Sequence, residues 1–222
     1  MTQALQPVAV LLGGGIESTL LVKRFLAEGR AVVPVHVNCG LIWDDCETRY
    51  VRRFCAANAT PALSPLAEIR LPLADFLRGH WAVTGVNVPR AGDPAADLEI
   101  PVRNLTLLSF ALHGLKTQDA SALALGTTAD NCYRDGSRTY FDKCAELLSL
   151  EAGRAIEVLT PFIGLDKTQV IRNSDSITLS LSFSCVNPER DLHCGRCIKC
   201  GRRQTAFRTA GVVDPTIYAN QP

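Results

Sequence analysis

Leu11-Leu12-Gly13-Gly14-Gly15-Ile16-Glu17-Ser18, LLGGGIES in one-letter code, follows directly on the apolar run Val8-Ala9-Val10. A short apolar run closed by glycine reads as a buried strand, here Val8 to Leu12, and Thr19 to Glu28 has the spacing of a helix that stops at Gly29. Three glycines at that junction let successive N–H groups converge into a concave nest, and the helix that follows brings the positive end of its dipole to the same point. The loop is therefore expected to hold phosphate. The plain alternative is a tight strand-to-helix connection without a ligand.

The loop type follows by elimination. A Walker loop ends in Gly-Lys-Ser/Thr, and Lys never follows Gly in this chain. A dinucleotide fingerprint needs G-x-G-x-x-G and an acidic residue after the second strand, but position 18 is Ser and that strand ends His36-Val37-Asn38. What remains is the short loop of ATP enzymes that release pyrophosphate, written SGGxDS. LGGGIES is similar, with Gly13 in place of Ser and Glu17 in place of Asp. The first change deletes a hydroxyl donor, and the second keeps a carboxylate for Mg²⁺ on a longer stem.

Outward from the loop, apolar runs alternate with helical stretches, the pattern of parallel strands joined by crossover helices. Strands are expected at Ala31–Val37, Ala122–Leu125 and Ile156–Leu159, and helices at Trp43–Ala57, Arg103–Leu115, Phe141–Leu150 and Lys167–Asn173. Residues 71–102 hold four prolines and three glycines, so that stretch is expected to be an irregular lid or binding loop. The reading is an α/β protein with a nucleotide-binding unit over residues 1–180 and a small metal-binding segment and helix over 181–222.

The chain has 222 residues, 47% of them hydrophobic, enough for a proper core. Its 23 basic and 22 acidic residues give no global sign that would draw nucleic acid or an anionic membrane. No basic leader or long uncharged stretch is present, so a soluble, unprocessed chain is expected. Five of the nine cysteines are scattered, but Cys185, Cys194, Cys197 and Cys200 form C-x8-C-x2-C-x2-C. That spacing turns four thiolates onto one ion, the ligand set of structural zinc, with an iron–sulfur cluster as the rival. It fits a reducing cytoplasm. His193 is expected beside the metal or at the surface. Arg190, Arg196, Lys199, Arg202, Arg203 and Arg208 surround the knot, and neutralising its thiolates accounts for them better than nucleic-acid contact.

Loop and knot together resemble the 7-cyano-7-deazaguanine synthase (QueC) family. The likeness runs from Val8 to about Pro215 and includes IPVRNLTLLSFAL at 100–112, where Val102 stands for the family's glycine. It also includes the ALGTTAD loop, PFIGLDKTQVI and SCVNPERDLHCGRCIKCGRRQTAF. The resemblance implies an adenine-nucleotide α-hydrolase-like fold (PP-loop ATPase) and a homodimer. It implies the use of ATP with Mg²⁺ to activate the carboxylate of 7-carboxy-7-deazaguanine as an acyl adenylate. Ammonia would displace AMP, and a second activation would dehydrate the amide to the nitrile.

On this reading the ATP site comprises Leu12, Gly13, Gly14, Gly15, Ile16, Glu17, Ser18 and Thr19, with His36, Val37 and Asn38 lining the adenine. Glu17 holds Mg²⁺, and Lys167 neutralises the departing phosphates, the alternative being a solvated lysine. Arg103 and Asn104 are expected to meet a carboxylate and a purine edge, with helix capping or packing as the alternative. Asp130, Tyr133, Asp135 and Arg138 lie where the family recognises its substrate. The segment HVNCGLIWDDCE departs from the family's DYGQRH stretch and leaves Trp43 as a stacking platform or a core anchor. Two alternatives stand beside this: transfer of the activated acid to another amine, such as a protein, and a non-catalytic ATP-binding module.

Overall fold

The computed structural model describes residues 6–115 and 120–220; the ends of the two expected units, 1–5 and 221–222, lie outside it. Five strands, β1 (Val8–Leu11), β2 (Val32–Asn38), β3 (Ala67–Arg70), β4 (Ala122–Ala124) and β5 (Glu157–Leu159), form one parallel sheet in the order β3-β2-β1-β4-β5. Val8 is in register with Val32 on one side and Ala122 on the other. The chain winds outward from β1 to β3, then restarts at β4 on the opposite side, so the strand order reverses between β1 and β4. In a doubly wound sheet the crevice beyond the carboxyl ends of those two strands is where ligands bind.

The helices are α1 (Ile16–Ala27), α2 (Asp44–Ala57), the single turns α3 (Leu73–Phe76) and α4 (Trp81–Thr84), α5 (Arg103–Leu115), α6 (Arg138–Ala152), α7 (Lys167–Arg172), α8 (Ser176–Ser180) and α9 (Ile198–Ala210). Side-chain alternation along the strands sorts them into two layers. Val8, Val10 and Val32 pack with Leu21 and Phe25 of α1, Ile171 of α7 and Phe207 of α9. Ala9, Val33, Val35 and Val37 pack with Leu108 and Leu112 of α5 and Phe141 and Leu148 of α6. All four knot cysteines belong to this second cluster, so the C-terminal segment shares the core of the sheet.

The structure differs from the sequence expectation at several elements, among them α6, which starts at Arg138 rather than Phe141, and the turns α3 and α4 within 71–102. Helix α1 starts at Ile16, three residues before the expected start, because Gly15 is its N-cap with ψ 159° and the helix begins inside the glycine motif. Strand β3 was not expected: AEIR is a four-residue edge strand that pairs only with β2 and whose Glu68 and Arg70 are exposed, so it carries no apolar run. The short helix α8, capped by Asp175, was likewise not foreseen.

The irregular segment 71–102 is held at several points. Ile42 N donates to Ala82 O (3.0 Å), Ala91 N to Arg196 O (3.0 Å) and Ile198 N to Pro89 O (2.9 Å). A Cβ at Gly201 would lie 2.7 Å from that of Ala91, so only glycine lets α9 pack this close to the segment. Arg203 is buried, and its guanidinium donates to Thr216 Oγ1 (2.7 Å), Ser182 Oγ (3.0 Å), Ser184 Oγ (3.2 Å) and Leu179 O (3.0 Å). It ties α8, the start of the cysteine segment and the C-terminal tail together.

Candidate nucleotide and metal sites

The glycine loop has the backbone of an anion cradle. Gly14 is left-handed (φ +71°), and its carbonyl accepts from Phe183 N at 2.7 Å, which fixes the turn. No side chain caps the amides of α1, whereas α6, α7 and α8 are capped by Ser137, Asp166 and Asp175. These uncapped amides are donors without an internal partner. Ser18 Oγ and Thr19 Oγ1 both donate to Gly15 O, at 3.1 and 3.0 Å, and lock the first turn. Gly126, just past β4, packs against this turn so closely that a Cβ there would fall 2.7 Å from the backbone of Glu17.

The loop opens into a cavity of about 780 Å³ at the β1/β4 switch point. Leu12, Gly13, Gly15, Glu17, Ser18, His36, Val37, Arg103, Asn104, Asp130, Tyr133 and Lys167 are in its wall. Gly14, Ile16, Thr19, Asn38 and Arg138 are not. Ile16 and Thr19 are fully buried beneath the loop, and Asn38 accepts from Gly40 N (3.2 Å) in the turn after β2. Arg138 is turned to β5: it pairs with Asp142 (2.6 Å) and donates to Thr160 Oγ1 (2.9 Å) and Val158 O (3.0 Å). Asn104 is also engaged, its Nδ2 donating to Asp135 O at 3.0 Å. Trp43 is a buried anchor at the cavity edge, stacked 5.7 Å from Trp81 of the irregular segment.

Charge organises the wall. The Lys167 ammonium contacts the Glu17 carboxylate, joining α7 to α1, and Lys167 N donates to Asp130 Oδ2 at 2.7 Å. Burial pushes the Glu17 carboxyl up, but the Lys167 charge and hydrogen bond outweigh it and hold the group below the usual range. His36 is buried and kept neutral by desolvation; its Nδ1 donates to Leu12 O at 3.0 Å and so braces the loop. Glu47 is the group the sequence reading missed. A Cβ on Gly13 would lie 3.5 Å from Glu47 Oε1, so this carboxyl borders the space where the loop pattern has serine. Burial and the Asp44 charge push Glu47 up to about 8. Lys199 and Arg202 of α9 also line the cavity and were missed in that role. Their place between and beside the clustered cysteines said only that they lay near the knot.

The four knot sulfurs lie within 4.8 Å of one another, and all four cysteines are buried. Sγ···Sγ is 3.8 Å for Cys185–Cys197 and 4.0 Å for Cys194–Cys200. Tetrahedral thiolates at the usual zinc–sulfur bond length are separated by about 3.8 Å, so the residues fit a single ion. Backbone N–H groups donate to the sulfurs: Asn187 and Cys194 to Cys185 at 3.3 Å, and Cys197 to Cys194 at 3.2 Å. Such donors favour thiolate. His193 is neither a ligand nor at the surface. It is buried, with Nε2 accepting from Ser184 N at 3.1 Å, and burial with the Arg203 charge pushes it down to about 3.

The sequence profile of the queuosine biosynthesis protein QueC matches residues 7–211. The chain belongs to the QueC family. Relatives named 7-cyano-7-deazaguanine synthase span nearly the whole chain. That of Thermosynechococcus vestitus is 32% identical, covering 98% of this chain and 97% of the relative. That of Solidesulfovibrio magneticus is 31% identical with the same coverage, and that of Syntrophobacter fumaroxidans is 32% identical over 94% of each. The five-stranded parallel sheet flanked by helices and the cluster of four cysteines agree with the α/β reading of the sequence. Among the described residues no helix is long and apolar enough to cross a membrane.

Proposed function

We propose that this QueC-family chain is an enzyme that makes 7-cyano-7-deazaguanine from 7-carboxy-7-deazaguanine, ATP and ammonia, forming AMP and pyrophosphate. The observation that supports it most is the uncapped start of α1 behind Gly14, opening into a cavity that also presents Arg103 and Lys167. A triphosphate laid on those amides has its reacting end in the same cavity as cations able to hold a carboxylate. Relatives at about a third identity bear the synthase name.

In this reading the amides of the loop hold the β- and γ-phosphates. The acid's carboxylate oxygen attacks the α-phosphorus, the bond to the bridging oxygen breaks, and pyrophosphate leaves with the electron pair. Lys167 faces the charge that develops on the leaving group. Mg²⁺, bound with the nucleotide, supplies further charge neutralisation, and Glu17 would hold it. His36 stays neutral and braces Leu12. Zn²⁺ is the ion we assign to the knot, and a cytoplasmic homodimer completes the reading. Incubation with ATP, Mg²⁺ and the acid, with and without ammonia, tests it: AMP dependent on the acid and a nitrile dependent on ammonia are expected. Absence of both would overturn it.

A second reading, capture of the adenylate by an amine other than ammonia, is favoured by NCYRDGSR and HVNCGLIWDDCE, which depart from the family's substrate loop and second-strand stretch. A conjugate in place of the nitrile in the product mass spectrum would select it.

A further inference from the structure

Gly13 gives the start of the glycine loop no side chain, and a carboxyl from another element borders the space beside it. Glu47 stands in the first turn of α2 and lines the cavity. A Cβ on Gly13 would meet Glu47 Oε1 at 3.5 Å, and a Cβ on Gly14 would meet Glu47 Cγ at 3.6 Å. These are ordinary van der Waals separations, so the side chain lies against the loop with its polar end beside Gly13.

The carboxyl is unsatisfied in that place. Its side chain is 14% exposed, and among the described residues it receives no hydrogen bond. His36 Nδ1 of β2 is 4.0 Å away, neutral, and already donates to Leu12 O. Arg103 of α5 and Lys199 of α9 are the cations whose charge reaches it, and neither forms an ion pair with it. Asp44, one turn earlier on α2, differs: its Oδ2 accepts from Cys39 N at 2.6 Å and Leu41 N at 3.0 Å.

A shielded carboxylate with no donor, one helical turn from a second acid, is disfavoured, so Glu47 keeps its proton. The same burial and the Asp44 charge account for its value of about 8. The resulting O–H lies beside the uncapped amides of α1, where an oxyanion would accept from all of them.

We propose that Glu47 donates its carboxyl O–H to a phosphate oxygen of the nucleotide on the glycine loop, in place of the side-chain donor that Gly13 lacks. The inference rests on the proposed function in one respect, that the loop holds a nucleotide's phosphates.

The test is calorimetric titration of α,β-methylene-ATP with Mg²⁺ into the full chain at pH 6.5 and pH 9. The proteins are the native chain, Glu47→Gln, Glu47→Ala, and Glu47→Ala combined with Gly13→Ser, with circular dichroism to check that each is folded at both pH values. At pH 6.5 the native chain and Glu47→Gln should bind alike, since an amide N–H also donates. Glu47→Ala should bind about tenfold more weakly, the loss expected for one hydrogen bond to a charged group, and the added Ser hydroxyl should recover most of it. Between pH 6.5 and pH 9 the native chain should lose about tenfold relative to Glu47→Gln, because the acid must first be reprotonated. Titrations in buffers of different ionisation enthalpy should accordingly show proton uptake at pH 9 that Glu47→Gln lacks. Glu47→Ala binding as tightly as the native chain at pH 6.5 overturns the inference alone. So does a native-to-Glu47→Gln affinity ratio that is the same at both pH values. A native chain that binds no analogue at either pH overturns the proposed function, and this inference with it.

Discussion

The Lys167 ammonium contacts the Glu17 carboxylate across 150 residues of sequence, joining the first turn of α7 to the first turn of α1 at the mouth of the phosphate cradle. Both side chains are largely shielded, so the pair is screened less than a surface ion pair. Lys167→Met leaves Glu17 buried without its counter-ion and removes a cation from the leaving phosphates. AMP formation at saturating substrates should fall by about 10²–10³-fold. Binding of an unreactive ATP analogue, followed by calorimetry, should weaken far less. An equal loss in both would reduce Lys167 to a binding group.

Glu47 sets a pH dependence of opposite sign to that of Glu17. Burial, reinforced by Asp44, raises its folded-state value from 4.5 to about 8, so between those limits the folded chain holds a proton that the unfolded chain releases. Stability from this group is therefore full below 4.5 and declines as pH rises towards about 8. Glu17 is held low by Lys167 against its burial, so its contribution is full above 4.5 and is lost on acidification. Urea midpoints across this range should fall on the alkaline side, and Glu47→Gln should flatten that limb while leaving the acid limb in place. An unchanged alkaline limb in Glu47→Gln would contradict the assignment.

Val102 adopts φ +60°, a left-handed conformation that strains a β-branched residue, at the position where the family pattern has glycine. The residue is 61% exposed, so removing its side chain sacrifices little packing. Val102→Gly should stabilise the chain by about 0.5–1 kcal/mol, or roughly 1–4 °C in Tm for a domain of this size. A lower Tm by thermal denaturation would show that Val102 packs more than it strains.

Arg203 is 1% exposed, with four hydrogen bonds and Asp214 at 3.7 Å. Arg203→Met strands those partners in the interior and should cost about 3–5 kcal/mol in urea denaturation. Arg203→Lys keeps the charge but not the planar fork, so it should recover only part of that loss. A variant as stable as the native chain would place the guanidinium in solvent.

The legible parts of the fold are those encoded locally. The apolar run before Gly13 marks β1, the glycines mark the cradle, and C-x8-C-x2-C-x2-C marks four sulfurs that meet around one point. Strand β3 was hidden because an edge strand with two charged outward residues carries no apolar run. Glu47 looked like an ordinary polar residue on an amphipathic helix; only the fold brings it beside Gly13. Lys199 was legible as a neighbour of the knot, but its direction depends on how α9 packs against the sheet. Arg138 is the reverse case: a sequence pattern groups it with the substrate residues, whereas its side chain donates from α6 to Val158 O of β5.

The account stands on a carboxylate oxygen reaching the α-phosphorus of a triphosphate held by the loop at Gly13–Ser18. Isotope transfer reads this directly: the acid, labelled with ¹⁸O in its carboxylate, is turned over with unlabelled ATP and ammonia, and the AMP is weighed. Formation of an acyl adenylate predicts AMP carrying one ¹⁸O from the acid. Unlabelled AMP, or label emerging in inorganic phosphate with ADP as the nucleotide product, would contradict it.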